Sequence, residues 1–481
     1  MNRFAFFVCA LAALAFPAAA QTLPDLGDAA AADLPVHVER RIGEAIVRDL
    51  RLRDPAWLDD PEIADYLNGL GARLAAAAPG ARQEFEFFAV RDASINAFAL
   101  PGGFIGVHTG LITASENESE VASVLAHEMA HVTQRHIARL LAAEKQAQLP
   151  TLAALAAAIL LGRSRPDLAG GIATAAQAGA VQASLGYSRD FEREADRIGF
   201  QTLAAAGFDV RAMPGFFEKM QRYMRIADNP AVPSWLRTHP VTTERIADAQ
   251  GRAQSQPYRQ HVDSLEYHLV RAKIRADAGD ANEAAAWFAT LLREGRHANE
   301  AAARYGLAQA RVRAGDAKGA LAEVARLRAT GAASWMVETL EARARAAAGD
   351  AEGALAVLRA ALARHPQRRP VLYAALDLLG QLGRHAEAIA LLAEPVRLYP
   401  RDSRLQQARA RSYAALGRRL LAHQAQAEYY VLLGSLPAAI EQLELAAAAG
   451  DGDFYEQSVV EARLKALRAE HAAELKAARR P

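Results

Sequence analysis

The residues GDAKGALA at 315–322 recur as GDAEGALA at 349–356, and this repeat decides the architecture of the second half of the chain. Related stretches, GDANEAAA at 279–286 and GRHAEAIA at 383–390, extend the series in both directions. The leading glycines, together with Gly417, stand at positions 279, 315, 349, 383 and 417, so the last three intervals are equal. In each of the four stretches the fifth position after the glycine is an alanine, which begins an apolar helix face. A spacing of this length is typical of stacked helical repeats.

A period of about 34 residues with a helix–turn–helix pattern indicates tetratricopeptide (TPR) repeats. Small alanines let paired helices approach closely, and a glycine relieves the tight turn between them. A generic alanine-rich helical array is the alternative, which three successive equal intervals disfavour. GSLPAAIEQL, from Gly434, keeps the same form. We predict an α-solenoid over residues 262–450 and a helical tail over 451–481, in which LKALRAEHAAELKAARR (464–480) forms a terminal solvent-facing helix.

The first twenty residues, MNRFAFFVCALAALAFPAAA, have the organisation of a secretory signal peptide. Arg3 gives a short basic start, an apolar run follows, and small residues precede a cleavage site after Ala20. An uncleaved membrane anchor is the alternative, but the apolar run is too short to span a bilayer comfortably. We therefore expect residues 1–20 to be removed and the mature protein to be periplasmic.

Composition excludes several classes of protein. Cys9 is the only cysteine and leaves with the signal peptide, which excludes a cysteine protease or a thiol redox role. The chain has 56 Lys+Arg and 55 Asp+Glu residues, so its near-zero net charge gives no indication of a nucleic-acid partner. With 481 residues, 52% of them apolar and rich in alanine, we expect two to four mainly helical domains.

The first domain, predicted over residues 21–258, combines helices with a small β element. FEFFAV (85–90) is a candidate strand, and ASINAFALPGGFIGVHTG (93–110) reads as a hairpin turned by Pro101-Gly102-Gly103. Residues 117–145 carry one long helical pattern. Segment 146–186 is rich in Ala, Leu and Gly; it contains too short an apolar run to span a membrane, and is either a buried helix or a lid or membrane-surface element.

The long helical pattern contains HEMAH at 127–131. Residues four apart lie on one helix face, so His127 and His131 can direct two imidazoles at one cation. Glu128 lies beside the first histidine, where it can take a proton from a water molecule at the metal. The five residues alone do not distinguish this site from two histidines that merely share a helix face.

A catalytic zinc site needs a third protein ligand. His136 is a poor candidate, because on a continuous helix it lies about 180° from His127 and faces away, as a surface or packing histidine. A better candidate comes from YSRDFEREADRIGF (187–200), where Glu192 and Asp196 share a helix face. Glu192 would complete a His₂Glu site and Asp196 would accept a hydrogen bond from a ligand imidazole. The alternative for this acidic cluster is a solvated helix start.

HEMAH at 127–131, then EREAD at 192–196, with NAFALPGG upstream at 96–103, resembles the HtpX and CAAX-prenyl-protease family of zinc peptidases. The signal peptide and TPR array make the chain most similar to periplasmic members that assist outer-membrane assembly. The resemblance implies a mainly α protein with an α+β zincin-type metalloprotease domain before the α-solenoid. It also implies one zinc ion, with His127, His131 and Glu192 as ligands and Glu128 as general base.

The resemblance assigns further roles. The family pattern E-x-x-A-D selects Glu192 over Glu194 and gives Asp196 the supporting role. His239, in LRTHPVTTERI (236–246), would approach the zinc as a gate or fourth ligand; alternatively it only ends a loop before the helix that opens at Thr242. Family members bind extended peptides along an edge strand. The first choice is Asn96, Ala97, Phe98, Ala99 and Leu100, the second is Ile105–His108, and an ordinary structural hairpin is the alternative.

Together these features predict a periplasmic zinc endopeptidase that acts in quality control and assembly of outer-membrane proteins. The resemblance implies unfolded or misassembled protein substrates, and a TPR array that binds clients or the outer-membrane β-barrel assembly machinery. Segment 146–186 would supply any peripheral membrane contact. The alternative is an assembly chaperone whose peptidase site is normally gated shut.

Overall fold

The structure is a computed structural model that describes residues 34–78, 83–145, 189–226 and 234–478. The predicted signal peptide (1–20) and the segment 146–186 lie outside the described residues. Within the described ranges, no helix is both long and apolar enough to cross a membrane.

A four-stranded sheet forms the β element of the N-terminal unit. The strands are β1 (Trp57–Leu58), β2 (Glu86–Val90), β3 (Ala97–Leu100) and β4 (Phe104–His108), in the order β1-β2-β4-β3. β2 and β4 run parallel, while β3 pairs antiparallel with β4 through the predicted Pro101-Gly102-Gly103 turn. Because β4 is paired on both sides, the second choice of substrate strand, Ile105–His108, is wrong as an edge. The first choice, β3, lies at one edge of the sheet and β1 lies at the other.

Helices surround this sheet. They are α1 (Val36–Arg53), α2 (Pro61–Ala77), α3 (Thr109–Ala114), α4 (Glu118–Thr133), α5 (His136–Lys145), α6 (Arg189–Ala205), α7 (Ala212–Ile226), α8 (Ser234–Thr238) and α9 (Thr243–Gln254). Asn117 caps α4 by accepting from the Glu120 N–H at 3.0 Å. The single long helix predicted over 117–145 is wrong in one respect, because the chain breaks between α4 and α5, where Arg135 has φ +52°.

Helices α4 and α6 pack unusually closely. At Gly199 of α6, an added Cβ would lie 3.0 Å from the backbone nitrogen of His127, so any larger residue would push the two helices apart. Glycine therefore allows the acidic residues of α6 to reach the histidines of α4.

The repeats occupy the C-terminal half as predicted. Their helices are α10 (Leu265–Asp277), α11 (Ala281–Arg293), α12 (Glu300–Arg313), α13 (Ala317–Ala329), α14 (Trp335–Ala347), α15 (Ala351–Arg364), α16 (Arg369–Gln381), α17 (His385–Leu392), α18 (Pro395–Leu398), α19 (Ser403–Ala415), α20 (Arg419–Leu432), α21 (Leu436–Ala447) and α22 (Phe454–Ala478). The turn glycines Gly315 and Gly349 have φ +80° and +86°, a conformation that favours glycine. Ala320, Ala354 and Ala388, at the fifth position after their glycines, are buried. The predicted fold class, mainly α with a small sheet and a helical array, is confirmed.

The terminal helix departs from the prediction of a solvent-facing segment. α22 begins at Phe454, before the predicted Leu464, and buries Val460 and Leu467 in a cluster with Leu443 of α21. One face of this helix therefore closes the end of the array, and the rest of its surface is largely exposed.

The N-terminal unit and the array meet at a buried carboxylate. Glu62 of α2 lies 3.4 Å from the Lys273 ammonium and 3.5 Å from the Arg343 guanidinium, and it accepts hydrogen bonds from Tyr305 and Thr339. Burial would raise the pKa of Glu62, but the charges of Arg343 and Lys273 outweigh burial and lower it. Residues from three repeats thus converge on one ionised side chain.

We expect Glu62→Gln to lower the free energy of unfolding by about 3 kcal/mol, because it removes a buried negative charge from the buried Lys273 ammonium and the partly exposed Arg343 guanidinium. The matched control is Glu44→Gln, which removes an exposed pair with Arg401 at the same interface and should cost less than about 1 kcal/mol. Urea denaturation followed by circular dichroism measures both values. Equal values for the two variants would contradict the assignment.

The lowered pKa of Glu62 predicts that its contribution to stability depends on pH. The folded-state pKa of Glu62 is lowered, so its stabilisation is present above the ordinary value of 4.5 and is lost as the pH falls below it. The stability difference between wild type and Glu62→Gln should therefore shrink in acid.

Candidate metal centre

Four predicted residues meet at one buried point. His127 and His131 come from α4, Glu192 from the first turn of α6, and His239 from the position directly after α8. One ligand atom from each residue lies within 4.8 Å of the others, and all four side chains are buried. The spacing of four residues on α4 places the two imidazoles together, as the sequence indicated.

The distances between these atoms fit a metal ion. A tetrahedral zinc site with bonds of about 2.0–2.1 Å requires ligand atoms roughly 3.4 Å apart. His127 Nε2 lies 3.1 Å from His131 Nε2, and His131 Nε2 lies 3.4 Å from Glu192 Oε1. His239 Nδ1 lies 3.3 Å from His127 Nε2 and 2.9 Å from Glu192 Oε1. Three imidazoles and a carboxylate with this geometry fit zinc or a related divalent cation.

Glu128 lies beside this cluster with both oxygens bound. The Ala99 N–H of β3 donates to Oε2 at 3.1 Å, and the Trp235 indole Nε1–H donates to Oε1 at 3.2 Å. His239 Nε2 lies 3.4 Å from the same Oε1. Burial raises the pKa of Glu128 despite the opposing charges of His239 and His127. Glu128 is therefore a buried carboxylate that holds a proton more readily than a carboxylate in water does.

Asp196 supports His127 from behind. Its Oδ1 lies 3.0 Å from His127 Nδ1, which leaves Nε2 directed at the cluster. Arg245 of α9 binds Asp196 with Nε and Nη2 at 2.7 and 2.8 Å, and its Nη1 lies 2.8 Å from both Glu192 Oε2 and the Pro240 carbonyl. No sequence pattern used above indicated a role for Arg245. The signal that could have identified it is an arginine in the first turn of α9, shortly after the His239-Pro240 pair.

The electrostatics of the cluster favour a cation. Burial would raise the pKa of Glu192, but the charge of His239 and hydrogen bonds with the other histidines hold it well below its usual range. Burial likewise would raise the pKa of Asp196, yet hydrogen bonds from His127 and Arg245 lower it. Burial would lower the pKa of His127, but hydrogen bonds with Asp196 and Glu192 raise it to about 9. The site thus holds ionised carboxylates in a buried space.

His136 does not face away from the site, so that prediction is wrong. The break at Arg135 ends α4, and His136 turns back until its Nδ1 lies 2.8 Å from His131 Nδ1. The opposite orientation required a continuous helix, which this backbone does not form. Burial lowers the pKa of His136 to about 4, so its ring is neutral.

The substrate-strand candidates lie next to this centre. The backbone carbonyl of Asn96 accepts a hydrogen bond from the His108 N–H at 3.0 Å. Residues Ala97 to Leu100 pair with β4. Ala99 directs its N–H away from β4, toward Glu128. The outward groups of the edge strand therefore face the same space as the carboxylate. In the described structure these strand residues are buried. The backbone N–H of Trp235 in α8 donates to the Ile95 carbonyl at 3.4 Å.

Comparison with known proteins agrees with this geometry. The family model described as "Peptidase family M48" matches residues 61–253, and the model described as "Tetratricopeptide repeat" matches residues 345–412. The first match contains the whole cluster, and the second lies within the predicted array.

Three relatives illustrate how far the similarity extends. "Beta-barrel assembly-enhancing protease" of Escherichia coli strain K12 is 33% identical over 459 residues, which cover 94% of this chain and 93% of that protein. The Yersinia pestis protein of the same name is 37% identical over 287 residues, 60% of this chain and 58% of that one. "Mitochondrial metalloendopeptidase OMA1" of Arabidopsis thaliana is 33% identical over 161 residues, 34% and 30% of the two chains.

The similarity to the Escherichia coli protein runs through both the peptidase unit and the helical array, and the family model covers the residues of the candidate centre. The chain therefore belongs to peptidase family M48, and within it to the beta-barrel assembly-enhancing proteases, which makes it a metallopeptidase.

Proposed function

We propose that the protein is a periplasmic zinc-dependent endopeptidase with His127, His131 and Glu192 as zinc ligands. The observation that carries this proposal is the set of separations of roughly 3.4 Å among their ligand atoms in a buried space. A bound zinc ion would polarise the scissile carbonyl and make water more acidic.

The residues of the chain supply the remaining steps. Glu128 would take a proton from the attacking water and return it to the leaving amine, a role that suits a buried carboxylate with a raised pKa. Asp196 would hold His127 with Nε2 toward the metal, and Arg245 would hold Asp196. An extended substrate would pair with the edge strand Asn96–Leu100, whose Ala99 N–H faces Glu128.

The substrates and partners follow from the relatives' name. We infer that the protein acts in quality control and assembly of outer-membrane β-barrel proteins, with unfolded or misassembled chains as substrates. The TPR array would bind clients or the assembly machinery, since stacked helix pairs form extended binding surfaces. The division into domains at 21–258, 262–450 and 451–481 and the cleaved signal peptide belong to the same proposal.

A gated chaperone is the second candidate function, and the position of His239 favours it. Its Nδ1 lies 3.3 Å from His127 Nε2 and 2.9 Å from Glu192 Oε1, at the fourth corner that an open catalytic site keeps for water. Trp235, from the short helix α8 that directly precedes His239, stacks on His239 and donates to Glu128. Displacement of α8 would free the fourth corner and Glu128 together.

The first test compares wild type with Glu128→Gln in digestion of an unfolded test protein, with zinc content measured in parallel. We expect the variant to keep zinc, because Glu128 is not a proposed ligand, and to cut about 10²–10⁴-fold more slowly. Glu116→Gln, the same change at an exposed side chain, should cut like wild type. A Glu128→Gln variant that cuts normally would refute the assigned base. If neither protein cuts while both hold zinc, the gated chaperone replaces the constitutive peptidase.

The second test is His239→Ala, which removes the proposed gate. We expect faster cleavage of the same test protein, with zinc retained by the three remaining ligands. His37→Ala alters an exposed histidine of α1 and should leave the rate unchanged. A rate that stays at the wild-type level in a zinc-loaded His239→Ala protein would rule out the gate.

A further inference from the structure

His136 lies behind His131, on the side away from the ligand cluster. The two Nδ1 atoms are 2.8 Å apart, and on its other side His136 Nε2 lies 3.2 Å from Glu194 Oε2. The three side chains form a line of hydrogen bonds from a surface-reaching carboxylate to a ligand imidazole.

The direction of these hydrogen bonds follows from the acceptor at the end of the line. An ionised carboxylate only accepts, so the proton between His136 and Glu194 must belong to His136 Nε2. The Nδ1 atoms of His136 and His131 share one proton. When His131 Nε2 is the ligand atom, as the proposed zinc site requires, His131 Nδ1 carries that proton and His136 Nδ1 accepts it. His131 Nε2 is then left with a lone pair directed at His127 and Glu192.

The turn that positions His136 requires a strained backbone conformation at Arg135. Arg135 is the non-glycine residue with positive φ among those described, at +52°. Such backbone strain persists where surrounding contacts enforce it and often occurs at functional sites. Here the Arg135 guanidinium donates to the Leu34 carbonyl and to Glu39 Oε2, which fixes the turn that directs His136 back at His131.

Packing then holds the line in place. The His136 ring is fully buried and stacks on Phe191, with centroids 4.5 Å apart and planes 7° apart. Arg139 Nη1 binds the same Glu194 oxygen at 2.7 Å, so Glu194 stays ionised and oriented. Both His136 and Glu194 are therefore anchored independently of the ligand cluster.

The two ligand histidines of α4 thus receive carboxylate support by different routes. Asp196 contacts His127 directly, whereas Glu194 reaches His131 only through His136. We propose that His136 and Glu194 are positioning residues that hold His131 in the Nδ1-protonated tautomer, with Nε2 as the metal-binding atom. This inference rests on the zinc site of the proposed function.

The experiment measures zinc affinity by competition with a chromophoric chelator. His136→Phe keeps a ring on Phe191 but removes the acceptor, and we expect zinc binding about 10–100-fold weaker than in wild type. His136→Asn restores an acceptor oxygen near the Nδ1 position, so its affinity should fall less than about tenfold. Thermal unfolding of the zinc-free proteins verifies that each variant is folded.

A second pair of variants tests the other end of the line. Glu194→Ala removes the acceptor of His136 without entering the buried cluster and should weaken zinc binding in the same direction as His136→Phe. Asp190→Ala removes an exposed acid from the first turn of α6, one turn before Glu194, and zinc affinity should stay at the wild-type value.

The outcomes separate this inference from the proposed function. It is overturned if folded His136→Phe binds zinc as tightly as wild type, or if His136→Asn loses as much affinity as His136→Phe. It is also overturned if Asp190→Ala weakens binding as much as Glu194→Ala. In these cases a zinc-loaded wild type that still cuts leaves the proposed function intact. A wild type that binds no zinc refutes both.

Discussion

The structure depends on a helix that is buried along its length although it carries ionisable side chains. Every residue of α4 from Glu118 to Val132 is buried. A polar group removed from water costs free energy unless it is hydrogen-bonded, so each ionisable residue of α4 needs a partner from another element. Lys219 of α7 pairs with Glu120 at 2.6 Å, and Asp196 of α6 supports His127. The helices around α4 are thus fixed by charge as well as by apolar packing.

This need for hydrogen-bonded partners explains why further charged residues surround the candidate centre. Three histidines and two glutamates meet in a buried space, and their charges are balanced by residues further out. Arg245 binds Asp196 and Glu192 together, while Arg139 holds Glu194 behind His136. Residues that contact the proposed ligands therefore belong to the candidate site as much as those ligands do.

The helical array is bound to the peptidase unit as well as following it in sequence. Glu62 contacts residues of three repeats in a shared core, and further polar contacts follow along the same interface. Arg368 pairs with Asp65 at 2.7 Å, and Arg48 of α1 donates to the Gly434 carbonyl at 3.2 Å. Because these contacts extend from α10 to the turn before α21, the array lies along the N-terminal unit over much of its length.

The sequence by itself determined the features that depend on local spacing. The regular period of the glycines predicted the repeats and their turns, and the four-residue spacing of His127 and His131 predicted a shared helix face, because helix geometry is the same wherever a helix forms. The family resemblance then selected Glu192 and His239, which the fold brings to the same point. Tertiary structure alone decided the rest. One left-handed residue at 135 turned His136 from the far side of a helix to the back of His131. The contacts of Arg245 and the edge position of β3 likewise depend on residues far apart in the chain, which no local pattern encodes.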